Sequence, residues 1–437
     1  MNILESISLL NESLSIPAII IFFGVALILT IKTRFLQFRG VGRFLTIVRG
    51  NNSQFEIAEQ NKNNSMNAFQ ALFTAMATTI GMGNMVGPTI AIFTGGPGAL
   101  FWLVFYMFFA SVVKYVEVCF AIDTRIKTEN GHIIGGPMQY LKAVHSFFAS
   151  WYMWVMAFLF VCWSALQSNT LAAIYAQEGI PEWIIGAFLA LIVLIVLQGG
   201  AQRVGAVASK LVPFMFILYV TFVLLILFKD YTLFMQAVSL VFASVFSAKA
   251  ASGAFVGIGF LSAVRAGAYQ GIYISEAGIG TSSIPHAMTD AKKASDQGIL
   301  ALYSVSADAL ISVMSGMIVL VTGVWMFGDF RSTLIYEAFK IHTPGVGQIV
   351  LLMAISLFVL TTVIGNSFNG VQTYASITHY KYMRWYIAFT VMCIFLGSMI
   401  NVRLAWAIME LLLTMVAIPN VLGVLYLAFK KPHVIKM

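Results

Sequence analysis

The chain has 437 residues, of which 60% are hydrophobic and only 10% charged. A soluble domain carries about 25% charged residues, so this chain has too few charges to cover a water-facing surface and too many apolar residues for disorder. The formal charge of +8 is assigned to loops that hold a membrane topology, because no basic run is interleaved with the aromatics a single-strand binder needs, and no nucleic-acid partner is expected.

What remains is an all-α polytopic membrane protein in a lipid bilayer. A spanning helix needs about 20 apolar residues, and about 11 transmembrane helices are expected. The predicted elements are helix 0 at 17–33, helix 1 at 67–94, helix 2 at 99–123, helix 3 at 150–176 and helix 4 at 182–198. Helix 5 follows at 206–228, helix 6 at 253–282, helix 7 at 298–327, helix 8 at 348–377, helix 9 at 383–400 and helix 10 at 403–429. Stretches 133–147 and 329–346 read as amphipathic, lying on the membrane surface or plugging a vestibule. The runs are continuous rather than alternating, which argues against a barrel. Cys119, Cys162 and Cys393 lie inside apolar runs without C-x-x-C or histidine spacing, so no disulfide framework or metal centre is indicated. No basic n-region precedes an apolar core at the start, so helix 0 is expected to be the insertion signal.

Charge asymmetry sets the orientation. The loop after helix 0 carries Lys32, Arg34, Arg39, Arg43, Arg49 and Lys62, and alternate later loops carry Arg125, Lys127, Arg203, Lys210, Lys292, Lys293, Lys381 and Arg384. The opposite loops are poor in cations, which places the N-terminus outside and the C-terminus in the cytoplasm. A prokaryotic cytoplasmic membrane is the expected location.

Two helices are interrupted, five apart. Helix 1 contains Thr78-Thr79-Ile80-Gly81-Met82-Gly83-Asn84-Met85-Val86-Gly87-Pro88, and helix 6 contains a comparable interruption between Arg265 and Gly280. Glycine and proline at this density do not propagate a straight helix. Irregular backbone at membrane depth persists only where protein or water satisfies it, and paired interruptions point to an inverted-repeat transporter. The organisation follows: 1–66 as a leading helix and basic loop, 67–229 as a first five-helix repeat, and 230–437 as a second, inverted repeat with a short tail. Half-helix N-termini suit an anionic group and freed carbonyls suit a hard cation, which matches an amino acid zwitterion and Na⁺. The alternative for the same glycines is close helix packing, since Gly83 and Gly87 have small-xxx-small spacing.

Several stretches carry a resemblance. Thr78 to Asn84 is similar to a T-x-G-x-G-N break, and Thr94-Gly95-Gly96-Pro97-Gly98-Ala99 to a G-G-P-G-A turn. Lys114-Tyr115-Val116-Glu117-Val118 matches K-[FY]-x-E-[VM], Gly135-Gly136-Pro137-Met138 matches G-G-P-M, and Gln167-Ser168-Asn169 is similar to Q-A-N-S. Lys210 to Met215 reads K-L-V-P-F-M, Glu276 to Gly280 reads E-A-G-I-G, and Ala417 to Asn420 reads A-I-P-N. In this order the chain, over about 16–429, resembles the alanine/glycine:cation symporter family.

That resemblance implies the fold of the neurotransmitter:sodium symporters: one leading helix plus a 5+5 inverted repeat with broken helices 1 and 6. It implies Na⁺-coupled symport of a small neutral amino acid such as alanine or glycine, with no other cofactor and H⁺ as the alternative coupling ion. The implied substrate residues are Thr78, Thr79, Gly81, Met82, Gly83, Asn84, Gln167, Gly271, Tyr273 and Asn366. The implied Na⁺ site is the carbonyls of Ala77 and Ile80 with the hydroxyls of Thr361 and Thr362. The family's S-N-E-A-G becomes Ile274-Ser275-Glu276-Ala277-Gly278 here, and its G-W on helix 8 becomes Gly365-Asn366, an amide in place of an indole. Among ionisable residues, Lys114 and Glu117 share a helix face and are expected to pair with each other or with neighbouring charges. Arg265, Glu276 and Asp308 are further intramembrane candidates. Lys210 reads as a cytoplasmic anchor or a group approaching the cation site, and His286 and His379 as solvated loop residues. Six scattered histidines give no catalytic cluster, so an enzyme is not expected. A channel would need rings of carbonyls or charges, and a non-transporting sensor of the same fold is the remaining alternative.

Overall fold

The computed structural model describes residues 3–50, 65–128, 131–246, 259–289, 291, 293–326, 334–343, 345–400 and 403–437. Among the described residues the elements are helices apart from a short antiparallel pairing of β1 (Ile126–Lys127) with β2 (Ile133–Ile134). In chain order the helices begin with α1 (Ile3–Lys32), α2 (Leu36–Arg39), α3 (Val41–Val48), α4 (Ala68–Thr79), α5 (Met82–Gly95) and α6 (Ala99–Asp123). They continue with α7 (Pro137–Tyr140), α8 (Ser146–Ala176), α9 (Glu182–Leu197), α10 (Gly200–Lys229) and α11 (Tyr231–Ser244). The remainder are α12 (Phe260–Ser275), α13 (Ser283–Ala287), α14 (Ala294–Thr322), α15 (Leu334–His342), α16 (Val346–Thr378), α17 (Met383–Gly397) and α18 (Arg403–Lys430).

Among the described residues, α1, α6, α8, α10, α14, α16 and α18 are long and apolar enough to cross a bilayer. Each expected apolar segment has a helical counterpart among the described residues, α6 occupies its expected range, and 253–258 of the expected helix 6 lie outside the described residues. Helix 0 is longer than its apolar run, because Ser13 and Ser15 turn their hydroxyls back onto the Leu9 and Glu12 carbonyls and the helix continues through Pro17. The apolar helix α11 was not anticipated. Of the amphipathic stretches, 133–147 holds β2, α7 and a 3₁₀ turn, with Pro137 to Leu141 buried; 327–333 and 344 of the other lie outside the described residues.

The packing is centred on α6, whose residues from Ala110 to Ile122 are all buried. Apart from Ser111, Lys114 and Glu117 this stretch is apolar on every side, as a helix inside a bundle is, and α12 and α14 pack directly against α6. The outer helices show the reverse pattern. On α10, Phe214, Ile217, Leu225 and Phe228 are exposed at helical spacing, a stripe that faces lipid rather than water. On the basic side, Arg43 of α3 forms a two-pronged bond to Asp296 at the start of α14, at 2.8 and 2.7 Å.

Candidate substrate and cation site

Helix 1 is broken at Ile80 and Gly81. The α4 half starts on a capping box in which Asn67 accepts from the Gln70 N–H at 2.8 Å and Gln70 accepts from the Asn67 N–H at 3.0 Å. It ends at Ile80, whose backbone is extended, with φ −84° and ψ 91°. Asn84 then starts the α5 half: its Oδ1 accepts from the Gly81 N–H at 3.1 Å. The first N–H groups of α5, at Met82 and Gly83, have no intrahelical acceptor. Thr78, Thr79, Ile80, Gly81, Met82 and Asn84 are buried, whereas Gly83 is exposed with open space where a Cβ would stand.

Helix α16 lies directly across this break. The Thr362 hydroxyl donates to the Ile80 carbonyl at 3.1 Å. Two glycines permit the approach: a Cβ on Gly81 would lie 2.5 Å from Thr362 Oγ1, and one on Gly365 would lie 2.7 Å from Thr78 Cγ2 and 3.4 Å from the Ala77 carbonyl carbon. The structure thus brings Ile80 and Thr362 into contact, with Ala77 against Gly365 one turn further along α16. Thr361 faces the other way, onto Met215 of α10, with its hydroxyl on the Leu357 and Phe358 carbonyls at 2.9 and 3.1 Å. The neutral oxygens of Ile80, Ala77 and Thr362 are the donor type a Na⁺ ion takes.

Below the break, α8 runs along α16. Ser164 meets Ser367 at 3.2 Å and Tyr175 meets Ser356 at 2.8 Å. Gln167 lies between these two ties and is buried, and among the described residues its Oε1 has no donor. Asn366, one turn from Thr362, is wholly buried, and among the described residues neither of its amide atoms is partnered. Buried polar groups are normally hydrogen-bonded, so these two amides carry hydrogen-bonding capacity that the described residues leave unused.

The break in helix 6 differs from its expected form. Helix α12 is continuous from Phe260 to Ser275, through Gly267 and Gly271. A Cβ on Gly267 would strike the Ala99 carbonyl at 2.3 Å and one on Gly271 the Tyr106 ring at 2.8 Å, so both glycines serve close packing on α6. Gly271 therefore faces α6. Tyr273 turns to α18: its hydroxyl meets Tyr269 at 2.9 Å and Thr414 at 3.4 Å. The interruption is confined to 276–282, where Glu276, Gly278 and Gly280 have φ of 52°, 94° and 91°. Its carbonyls are satisfied by side chains: Asn420 donates to Gly278 at 2.8 Å, Tyr152 to Ile279 at 3.0 Å and Asn369 to Thr281 at 3.3 Å.

Thr362, Asn366 and Asn369 therefore form one face of α16 that touches both breaks. Asn369 was missed in the sequence, although its spacing of three and seven from Asn366 and Thr362 places it on that face. Lys114 and Asp308 also meet, with Nζ 3.7 Å from Oδ2, while Glu117 accepts from Asn420 at 2.8 Å. Lys210 is exposed, as is His379. His286, expected to be solvated, is buried in α13 with Nδ1 2.7 Å from Gln297 Oε1, because α13 folds back beneath the second break onto α6 and α4.

At the expected outer end, α1, α5, α12 and α18 enclose a cavity of about 510 Å³ lined by Asn11, Thr94, Arg265, Tyr269, Gln270 and Glu410, among others. Arg265 pairs with Glu12 at 3.1 Å beside it. On the turn between α8 and α9, the Tyr336 hydroxyl at 2.6 Å and the Lys340 ammonium at 3.2 Å hold the Glu178 carboxyl below the usual carboxylate range.

Residues 1–436 match the sodium:alanine symporter family. The chain is 27% identical to the sodium/alanine symporter AgcS of Methanococcus maripaludis, covering 94% of this chain and 91% of that protein. It is 25% identical to the Bacillus subtilis protein named “Probable sodium/glutamine symporter GlnT”, covering 94% and 85% respectively. Among solved structures, MhsT in complex with L-phenylalanine matches with a TM-score of 0.57 at 10% identity, over 83% of this chain and 89% of that one. A substrate-bound, outward-open Na⁺-coupled sialic acid symporter matches with a TM-score of 0.54 at 12% identity, over 94% and 82%. These two likenesses establish the fold.

Proposed function

Because the chain belongs to the sodium:alanine symporter family, as an integral membrane transporter and not an enzyme, we propose that it couples inward Na⁺ movement to uptake of a small neutral amino acid of the alanine or glycine type. The observation that carries this reading is the Thr362 hydroxyl on the Ile80 carbonyl, at the point where helix 1 is broken. Na⁺ enters here as co-substrate. It takes the Ile80 and Ala77 carbonyls and the Thr362 hydroxyl, and Thr361 joins on turning away from Met215. Neutral ligands hold a dehydrated monovalent ion yet let it leave.

The amino acid lies beside this ion. Its carboxylate takes the free N–H groups of Met82 and Gly83 at the positive end of α5. Gln167 and Asn366 supply the buried amides that its polar groups pair with, and Thr78, Thr79, Gly81 and Asn84 shape the backbone around it. Tyr273 acts from the α18 side, and Gly271 contributes by packing only. The two halves, 67–229 and 230–437, act as inverted repeats that rock about this site in alternating access, behind the leading segment 1–66. The cavity beside Arg265 is the outer approach, with the N-terminus outside and the C-terminus in the cytoplasm of a prokaryotic cell.

The test is thermal unfolding of the purified protein with alanine, glycine or glutamine, each in Na⁺ and in choline. A ligand that binds the native state raises the melting temperature. Stabilisation by alanine or glycine only when Na⁺ is present is expected. Stabilisation by none of the three, in either salt, would overturn the reading; a shift with glutamine alone would overturn the substrate class.

A further inference from the structure

Lys114 lies in the wholly buried stretch of α6, with 1% of its side chain exposed. Its ammonium has three protons to donate, and among the described residues it donates none of them to a hydrogen bond. It stands 3.7 Å from Asp308 Oδ2, an oxygen that is likewise without a donor. Lys114 therefore meets Asp308 as a buried ion pair, charge against charge, at a separation longer than a normal hydrogen bond.

Asp308 is where that charge has its effect. Its other oxygen, Oδ1, accepts from the Thr79 hydroxyl at 3.0 Å, and its backbone carbonyl accepts from Asn84 Nδ2 at 3.3 Å. Thr79 ends α4 and Asn84 lies in the first turn of α5, so one residue of α14 holds both sides of the helix 1 break. Glu117 of α6, Glu276 between α12 and α13, and His286 of α13 are also within electrostatic reach of Lys114. Glu117 and Glu276 have their own donors, in Asn420 and Thr281. Among the described residues, Asp308 is the carboxylate the ammonium approaches most closely. A buried carboxylate needs a compensating cation, and the oxygens of Asp308 and Thr79 are of the kind Na⁺ binds.

We propose that the Lys114 ammonium is a resident cation that stands beside Asp308 in place of a second Na⁺, so that a single Na⁺ at Ile80 and Thr362 drives each cycle. The proposal rests on the transport reading above and specifies its ion stoichiometry. Lys114 is a positioning residue: through Asp308 it fixes the break that the transported ion and substrate use. Removing the ammonium while keeping the carboxylate opens a second Na⁺ site. Removing both closes it again.

The experiment compares wild type, Lys114→Met and Lys114→Met/Asp308→Asn. Two readouts follow Na⁺ concentration at constant ionic strength: alanine uptake in proteoliposomes, and melting temperature of the purified proteins. Wild-type uptake is expected to rise hyperbolically with Na⁺, with a Hill coefficient of about one, and its melting temperature to rise with the logarithm of Na⁺ concentration as one bound ion requires. Lys114→Met is expected to give sigmoidal uptake and roughly twice that logarithmic slope in melting temperature, as two bound ions require, and the double variant to return to the one-ion form in both. One Hill coefficient and one melting slope shared by all three, whatever their values, overturn the proposal. Should Lys114→Met yield no folded protein, the double variant decides. Recovered folding with a hyperbolic response supports the charge assignment, and continued failure overturns it, since packing would then be the role of the side chain. Melting curves need no flux. Loss of Na⁺-driven uptake in wild type with these curves intact would therefore sink the transport reading and leave the charge assignment standing.

Discussion

Thr362→Val isolates the cation site with little change of shape. Valine replaces the hydroxyl by a methyl group, so the contact with Ile80 at 3.1 Å is lost while the α16 packing is kept. Without Na⁺ the change removes one neutral hydrogen bond, worth about 0.5–1.5 kcal/mol. With Na⁺ bound it removes a ligand to a charge, worth about 1.5–3 kcal/mol. The affinity changes by the difference between these losses, about 1–1.5 kcal/mol, and each 1.4 kcal/mol is tenfold, so the Na⁺ concentration for half-maximal uptake should rise roughly five- to tenfold. Thr362→Ser keeps the oxygen and should stay within about threefold of wild type. Thr361→Ala, whose hydroxyl faces Met215, should fall between the two. The assay is alanine uptake into proteoliposomes against external Na⁺, with melting curves to show that each variant is folded. A folded Thr362→Val protein with wild-type Na⁺ dependence would refute the assignment, and so would an equal loss in Thr362→Ser.

Gly365→Ala should destabilise the protein by about 1–3 kcal/mol, the range for overpacking, because its Cβ would lie 2.7 Å from Thr78 Cγ2 and 3.2 Å from the Thr78 amide nitrogen; chemical denaturation in detergent measures this. Asn366→Leu removes a buried amide that has no partner among the described residues. It should leave substrate-free stability unchanged or higher while raising the substrate concentration for half-maximal uptake about tenfold, from the loss of a hydrogen bond to a charged guest. A folded Asn366→Leu protein with wild-type substrate dependence would remove Asn366 from the pocket. Glu178 is held below its ordinary value by Tyr336 and Lys340. Its contribution to stability is therefore present above the unfolded carboxylate value and disappears as pH falls through the folded one. Glu178→Gln should lower the melting temperature at neutral pH and make it less sensitive to acid than wild type.

Much of the fold was legible because a bilayer simplifies the reading. Continuous apolar runs located α6, α9 and α18 to within a residue or so. The helix 1 break was legible too, since Gly81 and Gly83 interrupt an otherwise regular pattern and Asn84 offers a side chain to cap the new half-helix. The helix 6 break was placed too broadly. Gly267 and Gly271 share their four-residue spacing with any close-packed pair, and only the structure shows them against Ala99 and Tyr106 of α6. The true break depends on Glu276, a non-glycine residue with positive φ, which composition does not single out. His286 looked like a loop residue because α13 is too short to register as an apolar run. Asp308 was visible as an intramembrane charge, but its hold on both Thr79 and Asn84 is a contact across more than two hundred residues of sequence. No local pattern encodes a bond of that kind.

Coupling itself is the central claim, and flux against a gradient tests it most directly. Proteoliposomes containing the purified protein and labelled alanine at equal concentration on both sides should accumulate alanine internally when an inward Na⁺ gradient is imposed. The accumulation should collapse when the gradient is dissipated or when choline replaces Na⁺. Alanine and glycine that merely equilibrate, or fail to cross with Na⁺ present on either side, would contradict the account.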